Sequence, residues 1–455
     1  MSEVFEKIAG EIQKRGSISF ARFMEIALYC PVYGYYEKER DTIGRHGDYY
    51  TSPAVGPLFG ELLGSKFADW FEESPQSTVH SPQSTVAEQV ESIGVHSSES
   101  KPPFGGMPSV GAATSEAENG PECPGHEGLL ELTAPEEGRP PRNYHFQIIE
   151  AGAHRGQLAR DMLNWMRTRR PKVFESLEYC IVEPSPRRCE WQQSTLKEFA
   201  PQIRWVGNVA ELGPKTEPGS ETETSITPFR VLFCNELLDA MPVHRLGWDA
   251  KEKRWFEWGI TSQNGRFGWT RMGLTDQQSG FRRAKTVTVQ PPAVPAELLE
   301  VFPDGFTTEI CPVAVDWWRQ AAEILPSGKL VAIDYGLTTE ELFIPERQQG
   351  TLRVYREHQL SSDILQNPGE QDLTAHVNFS AIREAGEAAG LNTEALVTQE
   401  QFLGAIAAAI WKGQTDFGEW MANHTRQFRT LTHPELMGRA FKVLIQSRTK
   451  PEARS

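Results

Sequence analysis

Long apolar runs are missing from this chain of 455 residues. No stretch reaches the ~18 consecutive apolar residues that a spanning helix needs, which excludes an apolar helical membrane span. Basic excess is missing too. Lys and Arg number 46 against 61 Asp and Glu, a formal charge of −15. That argues against nucleic acid as a partner, because neutralising phosphates needs a basic face. Cysteine is sparse: Cys30, Cys123, Cys180, Cys189, Cys234 and Cys311, none of them in a CxxC pair. Cys180 and Cys234 stand in apolar runs, where free Cys behaves as a small hydrophobe, so a reduced, cytoplasmic protein is the simplest reading. The N-terminus lacks a basic, then apolar, leader. It carries acids and sets Val4, Phe5, Ile8 and Ile12 at helical spacing, as in a mature amphipathic helix.

Composition divides the chain. Residues 1–73 read as a helical unit with a loop-rich end. Residues 74–143 have no aromatic between Phe104 and Tyr144, repeat SPQSTV at Ser74 and Ser81, and carry 10 Glu against 3 Lys or Arg. Such a segment buries too little apolar surface to offset ordering entropy and reads as a disordered insertion. From 144 to 247 strands and helices alternate (FQIIEAG, QLARDMLNWMRTRR, LEYCIVEPS, RRCEWQQSTLKEF, FRVLFCNELLDAMPVHRL). Residues 248–310 read as inserted antiparallel hairpins, and 311–455 as a return to the alternating core. The fold class is therefore α/β: a mostly parallel sheet with helices on both faces. The hairpins leave a homodimer open, although no stretch forces it.

Ligands of open α/β sheets sit beyond the carboxyl ends of the strands. There the first core strand ends in Glu150, followed by Gly152 and Gly156. The second ends in Glu183, whose two carboxylate oxygens suit the hydroxyls of a ribose. Together they point to a nucleoside cofactor. A tight turn at Gly152 and a helix cap at Glu183 would read the same residues without one. The E-x-G-x-x-x-G spacing, with an acid beside the loop, disfavours a pyrophosphate and suits S-adenosylmethionine, whose amino-acid part is cationic. A nicotinamide oxidoreductase is correspondingly disfavoured. Asn235, Glu236 and Asp239 close the fourth strand, where polar groups would face a reacting methyl. His244 and His376 are candidate bases. Gly47 and Asp48 precede Thr51, Ser52 and Pro53, where a helix would start.

CPVYGYY, GDYYTSP, FGELLG, IEAGAHRG, VEPSP, CNELLDAMPVHRL, AIDYG, GTLRVYREHQ and PGEQDLTAHVNF occur in this order. In them the chain resembles the MidA family of S-adenosylmethionine-dependent methyltransferases, which includes mitochondrial complex I assembly factors. The resemblance implies a class I, Rossmann-like methyltransferase sheet with an extra domain. It implies cofactor held by the loop after the first strand, the acid after the second and the GDYYTSP loop, and a protein substrate with arginine as acceptor. Glu236 and Asp239 would then orient the guanidinium, a planar bidentate pairing. A methyltransferase-like scaffold without catalysis, acting as an assembly or interaction factor, is the competing reading. The chain departs from the family pattern at Ala153 and His154, at Ala54 and at Asn378. At His154 either the side chain leaves the ligand face or the backbone turns left-handed with a Cβ, at a cost of about 1 kcal/mol.

Overall fold

The computed structural model describes residues 2–38, 51–75, 145–213, 228–274, 276–278, 286–356, 359–360 and 363–448. From residue 76 onward the low-complexity insertion lies outside them. The chain begins with α1 (Glu3–Arg15), β1 (Ile18–Ser19), α2 (Phe20–Tyr29) and α3 (Leu58–Glu72). An alternating run follows: β2 (Phe146–Ala151), α4 (Gln157–Arg169), α5 (Pro171–Glu175), β3 (Leu177–Val182), α6 (Pro186–Thr195), β4 (Ile203–Val206) and β5 (Phe229–Asn235). Next come β6 (His244–Asp249), β7 (Arg254–Gln263), β8 (Arg266–Met272), the short β9 (Asp276–Gln278) and β10 (Thr286–Thr288), α7 (Ala296–Leu299) and β11 (Thr307–Ile310). Then follow α8 (Pro312–Glu323), β12 (Gly328–Leu337), α9 (Thr339–Leu342), β13 (Arg353–Arg356), β14 (Gln359–Leu360), β15 (Asp372–Thr374) and β16 (Val377–Asn378). The chain closes with α10 (Phe379–Ala388), β17 (Asn392–Thr398), α11 (Gln399–Trp411), α12 (Ala422–Thr432) and β18 (Phe441–Arg448).

The main sheet runs β17-β18-β12-β5-β2-β3-β4, with β16 also pairing β12. From β12 to β4 every pairing is parallel, whereas β18 is antiparallel to both neighbours. Strand order reverses between β2 and β5, and that switch point is where an open α/β sheet leaves a crevice. All six residues of β2 are buried, because helices cover both faces of the sheet. Phe146 and Ile148 pack with α3 and α4 on one side. Ile149 and Ala151 pack with α8 and α10 on the other. Each of the large side chains among them, Phe146, Ile148 and Ile149, contributes about 1.5–3 kcal/mol.

A second, antiparallel sheet runs β1-β7-β6-β11, with β8 beside β7. Ile18 pairs Ile260, which ties the N-terminal helices to this sheet. Val4, Ile8 and Ile12, the stripe seen in the sequence, enter one apolar cluster with Ile260, Val354 and Leu373. One sequence expectation ran too long. The helix expected through Phe199 stops at Thr195, and a short 3-10 turn, Lys197–Gln202, replaces its end. Pro201 lies in that turn, where it has no N–H to continue an α-helical ladder.

Candidate active site

The loop after β2 holds three left-handed residues, with φ of 81° at Gly152, 47° at His154 and 77° at Gly156. At Gly152 a Cβ would also lie 3.1 Å from Leu237 Cδ1, so both conformation and space ask for glycine. His154 takes the second course open to it: the backbone turns left-handed and keeps its Cβ. Its carbonyl accepts from Gln192 Nε2 at 3.0 Å, which fixes the turn to α6.

Gly152, Ala153, His154 and Arg155 of this loop wall a cleft of about 810 Å³, counting its open mouth. Opposite them stand Asn235, Glu236 and Leu237 from the end of β5, with Thr51 and Pro53 from the N-terminal loop. Tyr29 and Tyr36 close one side. Tyr29 donates to the Ala240 carbonyl at 2.9 Å and Tyr36 to Asp372 Oδ1 at 2.6 Å, so the N-terminal unit is fastened across the strand ends.

The carboxyl groups here are held in unusual states. Glu150 is 2% exposed and accepts from Tyr179 Oη at 2.7 Å. Burial pushes its carboxyl up to about 7, and the Tyr179 hydrogen bond opposes that rise. Glu236 has φ 51°, and its Oε1 accepts from the Ser52 N–H and from Asn235 Nδ2, each at 3.0 Å. Burial pushes it up to about 8, the Ser52 bond lowers it and the Asp239 charge adds to the rise. Asp239 is raised by burial and then by the charges of Asp334 and Asp372. Asp334 Oδ2 receives the N–H groups of Leu237 and Leu238 at 3.1 and 2.8 Å, which sets the loop after β5. Asn235 is buried, and its Oδ1 has no hydrogen-bond partner among the described residues.

The cleft thus gathers Thr51, Pro53, Glu150, Gly152, Asn235 and Glu236. Ser52 and Asp239 adjoin it through Glu236, and Gly156 opens α4 beside it. Glu183 directly follows β3 but does not line the cleft. It accepts from the Ser185 N–H at 2.9 Å and Gln192 Nε2 at 3.1 Å, and Arg188, which does line it, lies 3.9 Å away. Two expected bases stand elsewhere. His244 pairs with Glu257 at 2.7 Å inside the antiparallel sheet. His376 is pushed down to about 4 by burial, then by Arg353 and Arg347, and does not line the cleft. Gly47 and Asp48 fall outside the described residues. Sequence reasoning missed Arg188, Asp334 and the two tyrosines. The VEPSPRR and AIDYG stretches carried the first two, but nothing local tied them to this cleft.

A family model described as an S-adenosyl-L-methionine-dependent methyltransferase matches residues 133–397. The chain is 24% identical to the Drosophila melanogaster protein arginine methyltransferase NDUFAF7 homolog, mitochondrial, over 96% of this chain and 83% of the relative. It is 25% identical to the mitochondrial protein arginine methyltransferase NDUFAF7 of Homo sapiens, over 83% of this chain and 67% of the relative. A solved structure from Burkholderia thailandensis, bound to S-adenosyl-homocysteine, superposes with a TM-score of 0.67 at 25% identity. It covers 98% of this chain and 92% of that one. The cytoplasmic reading is corrected by these relatives, since both curated proteins are mitochondrial. Reduced thiols do not separate the two compartments: the five cysteines among the described residues are free. No helix among the described residues is long and apolar enough to cross a membrane.

Proposed function

The chain belongs to the S-adenosyl-L-methionine-dependent methyltransferase family, whose model spans more than half of it, and we propose that its acceptor is an arginine side chain of a protein. The cofactor fits the residues present. Gly152 presents bare backbone to the cleft, Glu150 offers a buried carboxylate to an ammonium group, and Asn235 Oδ1 is an acceptor still without a donor among the described residues. The bound cofactor supplies a methyl group already activated on a sulfonium, so the protein's task is alignment and proton removal.

The observation that carries the acceptor assignment is Glu236. It is a partly buried carboxylate fixed on the cleft wall, with Asp239 beside it on the same loop. A carboxylate matches the planar N–H fork of a guanidinium. Its pKa near 8 also suits a group that takes a proton near neutral pH. With His244 and His376 away from the cleft, Glu236 holds the base role as well. The relatives' name, protein arginine methyltransferase, supports the same acceptor.

The test is quantitative mass spectrometry of methylarginine peptides in cells that lack the protein, then re-express it. Wild type should restore a mark that Glu236→Gln does not, while Glu236→Gln still binds S-adenosyl-homocysteine within about threefold. A mark restored equally by Glu236→Gln would remove Glu236 from the chemistry.

A further inference from the structure

Glu236 does not hold its position alone. Its Oε1 is anchored by the backbone N–H of Ser52, a residue with no exposed surface on a loop from the far end of the chain. That loop has no side-chain cap of its own. Pro53 starts one 3-10 turn, and neither that turn nor α3 is capped by a local side chain. Two buried glutamines from the C-terminal helices hold it instead. Gln399, the first residue of α11 and 0% exposed, meets Ser52 Oγ through its Oε1 at 3.3 Å. Its Nε2 donates to the Leu431 carbonyl at 2.9 Å, so the amide is fixed at both ends. Gln427, on α12 and 5% exposed, accepts the Leu58 N–H at 3.0 Å and so satisfies an orphan donor at the start of α3. Gly56 between them has φ 145°, and a Cβ there would lie 2.5 Å from the Gln427 amide. Met437 Sδ lies 3.8 Å from Ser52 Oγ on the remaining side.

We propose that Gln399 and Gln427 are positioning residues for methyl transfer: they brace the 51–58 loop from α11 and α12, and the braced Ser52 N–H fixes the Glu236 carboxylate at the cleft. Buried polar side chains are retained only where their hydrogen bonds are satisfied, and these two are satisfied by the loop and its surroundings rather than by their own helices. Among the described residues Asp239 stands on the same loop, Asp334 and Tyr335 at the end of β12 are themselves raised by the Glu236 charge, and the cations Arg155 and Arg188 line the same cleft. Burial and then Asp239 disfavour the ionised form of Glu236, and the Ser52 and Asn235 N–H groups oppose them. Loosening the brace removes one of those two donors.

The inference rests on Glu236 facing the reacting methyl, and the experiment separates the two claims. Calorimetric affinities of the full chain for S-adenosylmethionine and S-adenosylhomocysteine are measured from pH 6.5 to 9.5. A carboxylate beside the sulfonium favours the cationic ligand over the neutral thioether, so the affinity ratio reports the ionisation of Glu236. Contacts common to both ligands cancel. Gln399→Met should move the midpoint of that ratio up by about half a unit to one unit, the worth of one neutral hydrogen bond, and Ser52→Ala, which loosens the loop but keeps the backbone donor, should move it in the same direction by less. Gln401→Ala is the control. It removes the exposed capping partner of Thr398 at the start of the same helix, without touching the loop, and should leave the midpoint in place. Ser52→Ala keeps the backbone donor and deletes one small hydroxyl, so it reports even where Gln399→Met fails to fold. A flat profile for Glu236→Gln, together with wild-type midpoints in Ser52→Ala and Gln399→Met, overturns the brace and leaves Glu236 in its role. An unchanged profile for Glu236→Gln overturns the premise itself.

Discussion

Gly152 and His154 share a left-handed backbone but differ in what a side chain meets there. Gly152→Ala places a methyl against Leu237 in a conformation that disfavours it. It should weaken S-adenosylhomocysteine binding at least tenfold in titration. His154→Gly should do the reverse to the fold, raising stability by up to about 1 kcal/mol in denaturant unfolding, because a Cβ leaves a left-handed residue. Tyr179→Phe removes the donor that keeps the Glu150 carboxyl near 7. Affinity for the cofactor's ammonium group should then need a higher pH to reach its plateau. At this scale the sequence was legible wherever a residue's task is local. Glu150, Asn235 and Glu236 follow from standing at strand ends, and the strain at His154 from its place between two glycines. Arg188, Asp334 and the Gln399 amide were not legible. Their partners lie across the fold: Asp334 serves residues 237–239, and Gln399 serves Ser52, 347 positions away.

The elements were easier to read than their contacts. Apolar runs such as FQIIEA and FRVLFCN became parallel strands because helices bury both of their faces. The position of β18, antiparallel between β12 and β17, was not legible. A buried antiparallel strand in a mixed sheet carries the same apolar pattern as its parallel neighbours. Nor was the route of the N-terminal unit, which depends on the two-residue β1 pairing with β7. Helix contact offers a direct test. Gly60 lets α3 approach α4 so closely that a Cβ would lie 2.9 Å from Asp161 Cβ. Gly60→Val should therefore cost about 1–3 kcal/mol, read as a lower denaturation midpoint with an unchanged slope.

For the whole molecule, the raised carboxyls set the pH dependence of stability. Glu150, Glu236 and Asp334 stand near 7, 8 and 7, above the ordinary 4.5 of Glu and 3.8 of Asp. Between about pH 4 and pH 8 the native chain therefore holds protons at these sites that the unfolded chain has released. Their contribution favours the fold below that window and is lost as pH rises through it. The ligand-free protein should melt at a lower temperature at pH 8.5 than at pH 6. S-adenosylmethionine should offset much of that loss, since a cation beside these carboxylates favours their ionised form. FQIIEAGAHRGQL works as a cofactor loop despite His154. Calorimetric titration of the purified protein with S-adenosylmethionine and S-adenosylhomocysteine tests it most directly. Saturable one-to-one binding in the micromolar range is the predicted result; no heat and no thermal stabilisation at millimolar ligand would contradict it.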